Sequence, residues 1–138
     1  MSTEHILFSL VLFFSFLFIV ATLYAYHLYR KHINDYELFI KEYKQHGYYI
    51  DSMTNLSANF GFAFYYLKVM YFVRLLKNKK MYIQKGILID KECYDYMQSL
   101  PKEKIEWMWR WRRAFIFQAV LFIVAIAFGY THSLIYHY

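Results

Sequence analysis

All sixteen Lys and Arg residues of this chain lie between Arg30 and Arg113, and the long apolar segment on each side of that interval contains none. Ile6 to Tyr29 also lacks Asp and Glu, as does Ala114 to Tyr138. At ~1.5 Å of rise per residue, each segment is long enough to cross ~30 Å of hydrocarbon as a helix. Basic residues near the ends of spans stay on the cytoplasmic side. Here Arg30, Lys31, Lys41 and Lys44 follow the first segment, while Lys102, Lys104, Arg110, Arg112 and Arg113 precede the second. The pattern predicts an all-α membrane protein, a two-transmembrane-helix hairpin with a mainly helical, basic cytoplasmic loop subdomain. The divisions expected are an outer N-terminus at 1–5, a first transmembrane helix at 6–29, a cytoplasmic region at 30–113, a second transmembrane helix at 114–136 and an outer C-terminus at 137–138.

The cytoplasmic region has room for a small helical subdomain and is short for an independent enzyme domain. It holds every basic residue and nine of the ten acidic ones, so the positive excess falls where anionic lipid headgroups are met. Nucleic acid is disfavoured as a partner, because Lys68, Arg74, Lys77, Lys79, Lys80 and Lys85 alternate with apolar residues and form no long basic stripe. Cys93 is the only cysteine, which excludes an intrachain disulfide and agrees with a reducing compartment. The first segment reads as a retained anchor rather than a signal peptide. Met1 to His5 has no basic residue, and the apolar run exceeds the usual ~7 to 15 residues of a signal sequence.

Within the cytoplasmic region, helix is expected to continue past the first span and to end near Gly47. Ser57 is expected to cap a helix over 57–76 that lies at the inner interface or packs against the other loop helices, with Lys68 and Arg74 snorkelling to water. Each of those charges would cost ~2.5 to 3.5 kcal/mol at the centre of a span, which argues against a third crossing. Met81 to Asp90 reads as a short hairpin or an extended connector turning at Gly86. Asp90 to Ser99 reads as a helix, and Pro101 fits the first turn of a last helix that runs unbroken into the second span.

The densest cluster is Trp107, Trp109, Arg110, Trp111, Arg112 and Arg113, just before the second span. Amphipathic rings and long cations both favour the headgroup layer, so these six are expected to form an interface anchor, with Trp109 and Arg113 placed for a cation–π contact. Inside the bilayer Thr22 and Gln118 fall at similar depth if the spans pair antiparallel. They either hydrogen-bond to each other, contributing roughly 0.6 to 2 kcal/mol, or Gln118 reaches back to the inner interface. Ala21 with Ala25, and Ala125 with Gly129, each pair four apart, are candidates for close helix packing within the hairpin or between copies. The histidines show no ligand pair at helical spacing, and no phosphate loop or nucleophile motif is present. No catalytic residue, metal or cofactor is therefore expected.

At Trp111-Arg112-Arg113-Ala114-Phe115-Ile116-Phe117 the chain resembles the universal stress protein B family, small two-pass bacterial inner-membrane proteins with an Arg-Arg-x-Phe-Ile approach to the second span. The resemblance includes Gly47-Tyr48-Tyr49, the aromatic run Phe64-Tyr65-Tyr66-Leu67 and the acidic patch at Asp90 and Glu92; this chain is longer around Met81 to Ile89. The family has no established biochemical activity, so no functional residues are carried over. Residues and resemblance together lead to a non-enzymatic, stress-related or regulatory protein of the bacterial inner membrane, multi-pass, with both termini periplasmic. It would act by contacts of its cytoplasmic loop with the lipid bilayer, with another membrane protein or with a second copy. The alternative is a membrane immunity or exclusion protein that neutralises a toxin or an invading element. A lipid-active enzyme is a weaker reading still.

Overall fold

The structure, a computed structural model, describes residues 2–136, so the segment 137–138 lies outside the described residues. In chain order the elements are α1 (Thr3–Gln45), α2 (Ser52–Ser57), a 3-10 turn (Phe62–Phe64), α3 (Tyr65–Leu76), β1 (Tyr82–Gln84), β2 (Ile87–Leu88), α4 (Lys91–Ser99) and α5 (Lys102–Tyr136). The protein is all-α apart from the antiparallel pair β1–β2. Two helices, α1 with 43 residues and α5 with 35, are long and apolar enough to cross a membrane. The chain forms two compact units, one of Met1–His27 with Arg113–Tyr138 and one of Leu28–Arg112.

In the first unit the helical segments pair antiparallel through a ladder of side chains. Phe8 lies 6.1 Å from His132, Phe14 stacks 5.5 Å from Phe128, and Phe18 lies 5.4 Å from Phe122, all between ring centroids. One partner's number falls as the other's rises, which is the signature of antiparallel packing without slippage. The rungs fall four or six residues apart, one to two turns at the ~3.6 residue period, so one stripe of each helix carries the contact. Ala21 and Ala25 are buried and sit on this side, where small side chains let the helices approach. Most other large side chains of the unit point outward, including Phe13, Phe16, Leu23, Ile123 and Ile126.

The second unit has a core of its own, built on aromatic rings. From α1 it takes Tyr36, Phe39 and Tyr43, spaced three and four apart on one face. From α3 come Tyr65, Val69, Phe72 and Leu75; from α4, Cys93 and Met97; from α5, Trp107, Met108 and Trp111. Phe72 stands edge-on to Phe39 at 4.8 Å and to Tyr43 at 5.0 Å, the offset geometry that aromatic quadrupoles favour.

The short elements end for local reasons. Asp51 caps α2 by accepting from Thr54 N–H at 2.9 Å. α3 closes on Asn78, whose φ of 57° sits in the left-handed region. Its N–H donates to Leu75 O and that of Lys79 to Arg74 O, each at 3.0 Å, which makes a Schellman closure with asparagine in place of glycine. The β1–β2 turn uses Gly86 at φ 83°, a conformation that residues with a Cβ rarely adopt. α5 starts directly after Pro101 and has no break before Tyr136.

Two expectations are corrected. The segment 57–76 is not one helix, because Ser57 closes α2 instead of capping α3, and four residues and the 3-10 turn separate the two helices. Ser57 Oγ turns back to Thr54 O at 2.8 Å, so it satisfies the end of the helix behind it. Lys68 does not snorkel: it is 1% exposed, because the face of α3 that carries it packs inward, whereas Arg74 on the opposite face is exposed.

Phe72 sits at the centre of this packing with no exposed surface. Phe72→Ala is expected to lower stability by about 3–5 kcal/mol, while Leu38→Ala at an exposed site changes it by less than about 0.5 kcal/mol. Denaturant unfolding of the full chain in micelles, followed by tryptophan fluorescence, measures both.

Candidate functional site

The most unusual group of the second unit is the Lys68 ammonium. Lysine is rarely enclosed without a partner, because an isolated buried charge is costly. Here Nζ donates to Ser57 O at 2.7 Å and lies 5.1 Å from the centroid of the Tyr36 ring. The carbonyl belongs to the last turn of α2, where a cation complements the helix dipole. Burial lowers the Lys68 pKa, and the nearby Glu37 carboxylate opposes that shift. One ammonium thus ties α2, α3 and α1 together. Enclosed in this way, it can reach no substrate unless α2 moves.

Tyrosine hydroxyls line the same core. Tyr43 and Tyr71 both donate to Tyr49 O at 2.8 Å, so a single carbonyl of the α1–α2 connection holds α1 and α3. Tyr36 is different, since its buried hydroxyl has no hydrogen-bond partner among the described residues. Burial, and then the charges of Tyr29 and Glu37, push the Tyr36 pKa up to about 12. Burial also raises Tyr43, Tyr65 and Tyr71.

A groove of about 350 Å³ runs between α1 and α5 within this unit, lined by His32, Asp35, Glu42, Glu103, Arg110 and Trp107 among others. His32 Nδ1 lies 3.0 Å from Asp35 Oδ2, and Arg110 donates to Glu106 at 3.2 Å. The Arg110–Glu106 ion pair is solvent-facing and adds little to stability. Among the described residues no group of three His, Cys, Asp or Glu is placed to hold a metal ion.

The residues expected to form an interface anchor separate into two sets. Trp107 and Trp111 are buried, their rings edge-on at 5.0 Å. Trp107 Nε1 donates to Lys104 O at 2.9 Å and Trp111 Nε1 to Leu28 O at 3.2 Å. These two rings belong to the core, because the face of α5 that carries them meets Tyr36 and Tyr65. Trp109, Arg110, Arg112 and Arg113 lie outside the core. The cation over Trp109 is Arg112, at 5.9 Å, and not Arg113.

In the first unit Gln118 Nε2 donates to Thr22 Oγ1 at 2.9 Å, and the same hydroxyl donates onward to Phe18 O at 2.8 Å. Gln118 therefore points at the neighbouring helix and does not reach back along its own. Ala125 and Gly129 are only partly covered, and a Cβ placed on Gly129 would meet nothing within 4 Å. Of the two candidate pairs, Ala21 and Ala25 are the buried one. Sequence reasoning passed over Tyr36, Tyr43, Tyr71 and His32, and the only signal for the first two was their spacing with Phe39 along α1.

Comparison with protein-family models, curated proteins and solved structures finds no match to this chain.

Two outcomes follow for the buried polar groups. Tyr36→Phe removes an orphaned hydroxyl and is expected to raise stability by about 1 kcal/mol, measured by urea unfolding. Tyrosines with a raised folded pKa contribute stability that is complete below pH 10 and is lost as pH rises through the folded value. Lys68, with a lowered folded pKa, works in the opposite sense, since deprotonation relieves the cost of its burial as pH approaches 10.5. The buried tyrosines outweigh the lysine, so the thermal midpoint should fall from pH 9 to 11. The fall should be shallower in Tyr36→Phe and steeper in Lys68→Met, as read by circular dichroism.

Proposed function

We propose that the chain is a two-pass protein of the bacterial inner membrane, with both termini periplasmic and residues 30–113 cytoplasmic. In this reading it is a non-enzymatic, stress-related or regulatory protein of the kind the universal stress protein B resemblance implies. Its cytoplasmic unit contacts the membrane surface or another membrane protein. The observation that carries the proposal is the contrast in covering between the two units. The most apolar stretches of α1 and α5 are only 6% and 11% buried. A core helix of a water-soluble protein would be mostly enclosed. Leaving Phe13, Phe16, Leu23, Ile123 and Ile126 bare in water would forgo roughly 1.5–3 kcal/mol for each side chain. Lipid removes that penalty. The second unit supports the reading from the other side, since it encloses its own rings and contains every Lys and Arg except Arg113.

Alkaline phosphatase, which is active only in the periplasm, tests the orientation directly. Fused after Tyr138 it should be active, and inserted at the Lys85–Gly86 turn it should be inactive. The opposite pattern would overturn the topology. A photoreactive residue at the exposed Phe122, compared with one at Tyr66, then tests action by contact. One defined membrane protein crosslinked from Tyr66 in stressed cells would assign the contact to a partner, and lipid adducts would assign it to the membrane surface; water adducts alone would contradict the reading.

A further inference from the structure

Ser52 to Leu67 is the longest charge-free stretch between the two apolar segments, bounded by Asp51 and Lys68. Its burial is inside out. α2 turns Thr54 and Ser57 inward, each 2% exposed, and presents Met53 and Leu56 outward at 48% and 53%. Phe60 and Phe64 continue the same outward series, with their rings 4.9 Å apart. In water that arrangement wastes four apolar side chains while enclosing two hydroxyls.

The segment is also held at a particular end of its unit. Phe62 lies 5.7 Å from Tyr29, the last residue of the first charge-free segment, and Tyr65 lies 6.1 Å from Trp111, shortly before the second segment begins at Ala114. The 12 residues of α3 then lead about 18 Å away to Lys77, Lys79 and Lys80. Lys77, Lys79 and Lys80 are thus at the far end of α3, and the bare rings are at the end that holds Tyr29 and Trp111.

The backbone here suits a place where water is scarce. Ala58, Asn59 and Phe60 N–H donate to Thr54, Leu56 and Ser57 carbonyls, Ser57 Oγ donates to Thr54 O, and Lys68 Nζ caps Ser57 O from inside. Non-helical backbone is tolerated near hydrocarbon only when its polar groups are satisfied in this way. Asn55 and Asn59 are exposed beside the apolar side chains, which limits the depth to the boundary between headgroups and acyl chains.

We propose that residues 52–64 form a wedge inserted into the cytoplasmic leaflet, with Met53, Leu56, Phe60 and Phe64 among the upper acyl carbons and Lys68 locking the wedge to the core from behind. The proposal rests on the membrane reading above and assigns the occupant of this face as lipid rather than protein. It places the membrane-contacting part of the cytoplasmic unit at 52–64 rather than over the whole of 57–76.

The test uses the full chain in vesicles of phosphatidylcholine and phosphatidylglycerol, with nitroxide labels on Leu56→Cys, Phe60→Cys, Gln84→Cys and Phe122→Cys. Cys93, 1% exposed, stays in place, and the unsubstituted chain treated with the same label gives the background. The readout is the ratio of collisions with oxygen, which concentrates in lipid, to collisions with a water-soluble nickel chelate. The ratio at positions 56 and 60 should exceed that at 84 severalfold and approach that at 122. Ratios at 56 and 60 equal to that at 84, with 122 still high, would overturn the wedge and leave the two spans standing. A low ratio at all four would overturn the membrane reading with it. Shielding of 56 and 60 from both probes would assign the face to a second copy and also overturn the wedge.

Discussion

Trp111 is where the second unit is tied together. Its indole has no exposed surface, donates to Leu28 O at 3.2 Å, and meets Tyr29 and Tyr36 of α1, Tyr65 of α3 and Trp107 of its own helix within about 6 Å. Residues 28 and 111 are 83 apart in sequence, so this contact closes the whole of the unit between them. Loop-closure entropy grows slowly with length, and a ring that buries its full surface and satisfies its one donor can offset it. The remaining contacts depend on that closure. Once α1 and α5 are held at this point, Tyr36, Phe39 and Trp107 form a surface onto which α3 lays Tyr65, Lys68 and Phe72.

Lys68 shows what this core demands of a charge. Its ammonium is held by a carbonyl and a ring face and, among the described residues, has no carboxylate in contact, an arrangement that replaces water's hydrogen bonds in kind without a second buried ion. The arrangement also explains why Ser57 ends α2. The carbonyl that Lys68 needs is available only because the helix stops there, and the inward turn of Thr54 and Ser57 follows from bringing that carbonyl to the ammonium.

The parts legible in the sequence were those fixed by composition or by local backbone chemistry. Two charge-free stretches of more than twenty residues define the apolar helices, whatever they pack against. Gly47, Gly86 and Pro101 mark boundaries because their backbone constraints act locally. The hydrogen bond between Thr22 and Gln118 was nameable, since the antiparallel register puts them level. The direction of Lys68 was not legible. A lysine among apolar residues is compatible with snorkelling or with enclosure, and only the neighbouring elements decide. Trp107 and Trp111 failed for a related reason: an amphipathic ring serves a headgroup layer and a protein core equally well, and the spacing of four marks a shared face without saying what covers it. α2 is too short to display a period, so its inverted faces left no trace in the pattern.

Hydrogen–deuterium exchange of the full chain in lipid nanodiscs tests the central claim, that two lipid-covered helical segments accompany one self-contained aromatic core. The account expects slow exchange over residues 6–29, 65–76 and 114–136, with fast exchange over 77–90. Unfolding the second unit with mild urea should release the protection of 65–76 while leaving that of 6–29 and 114–136 intact. Simultaneous loss of protection in all three segments would show that lipid does not cover the apolar helices and would contradict the account.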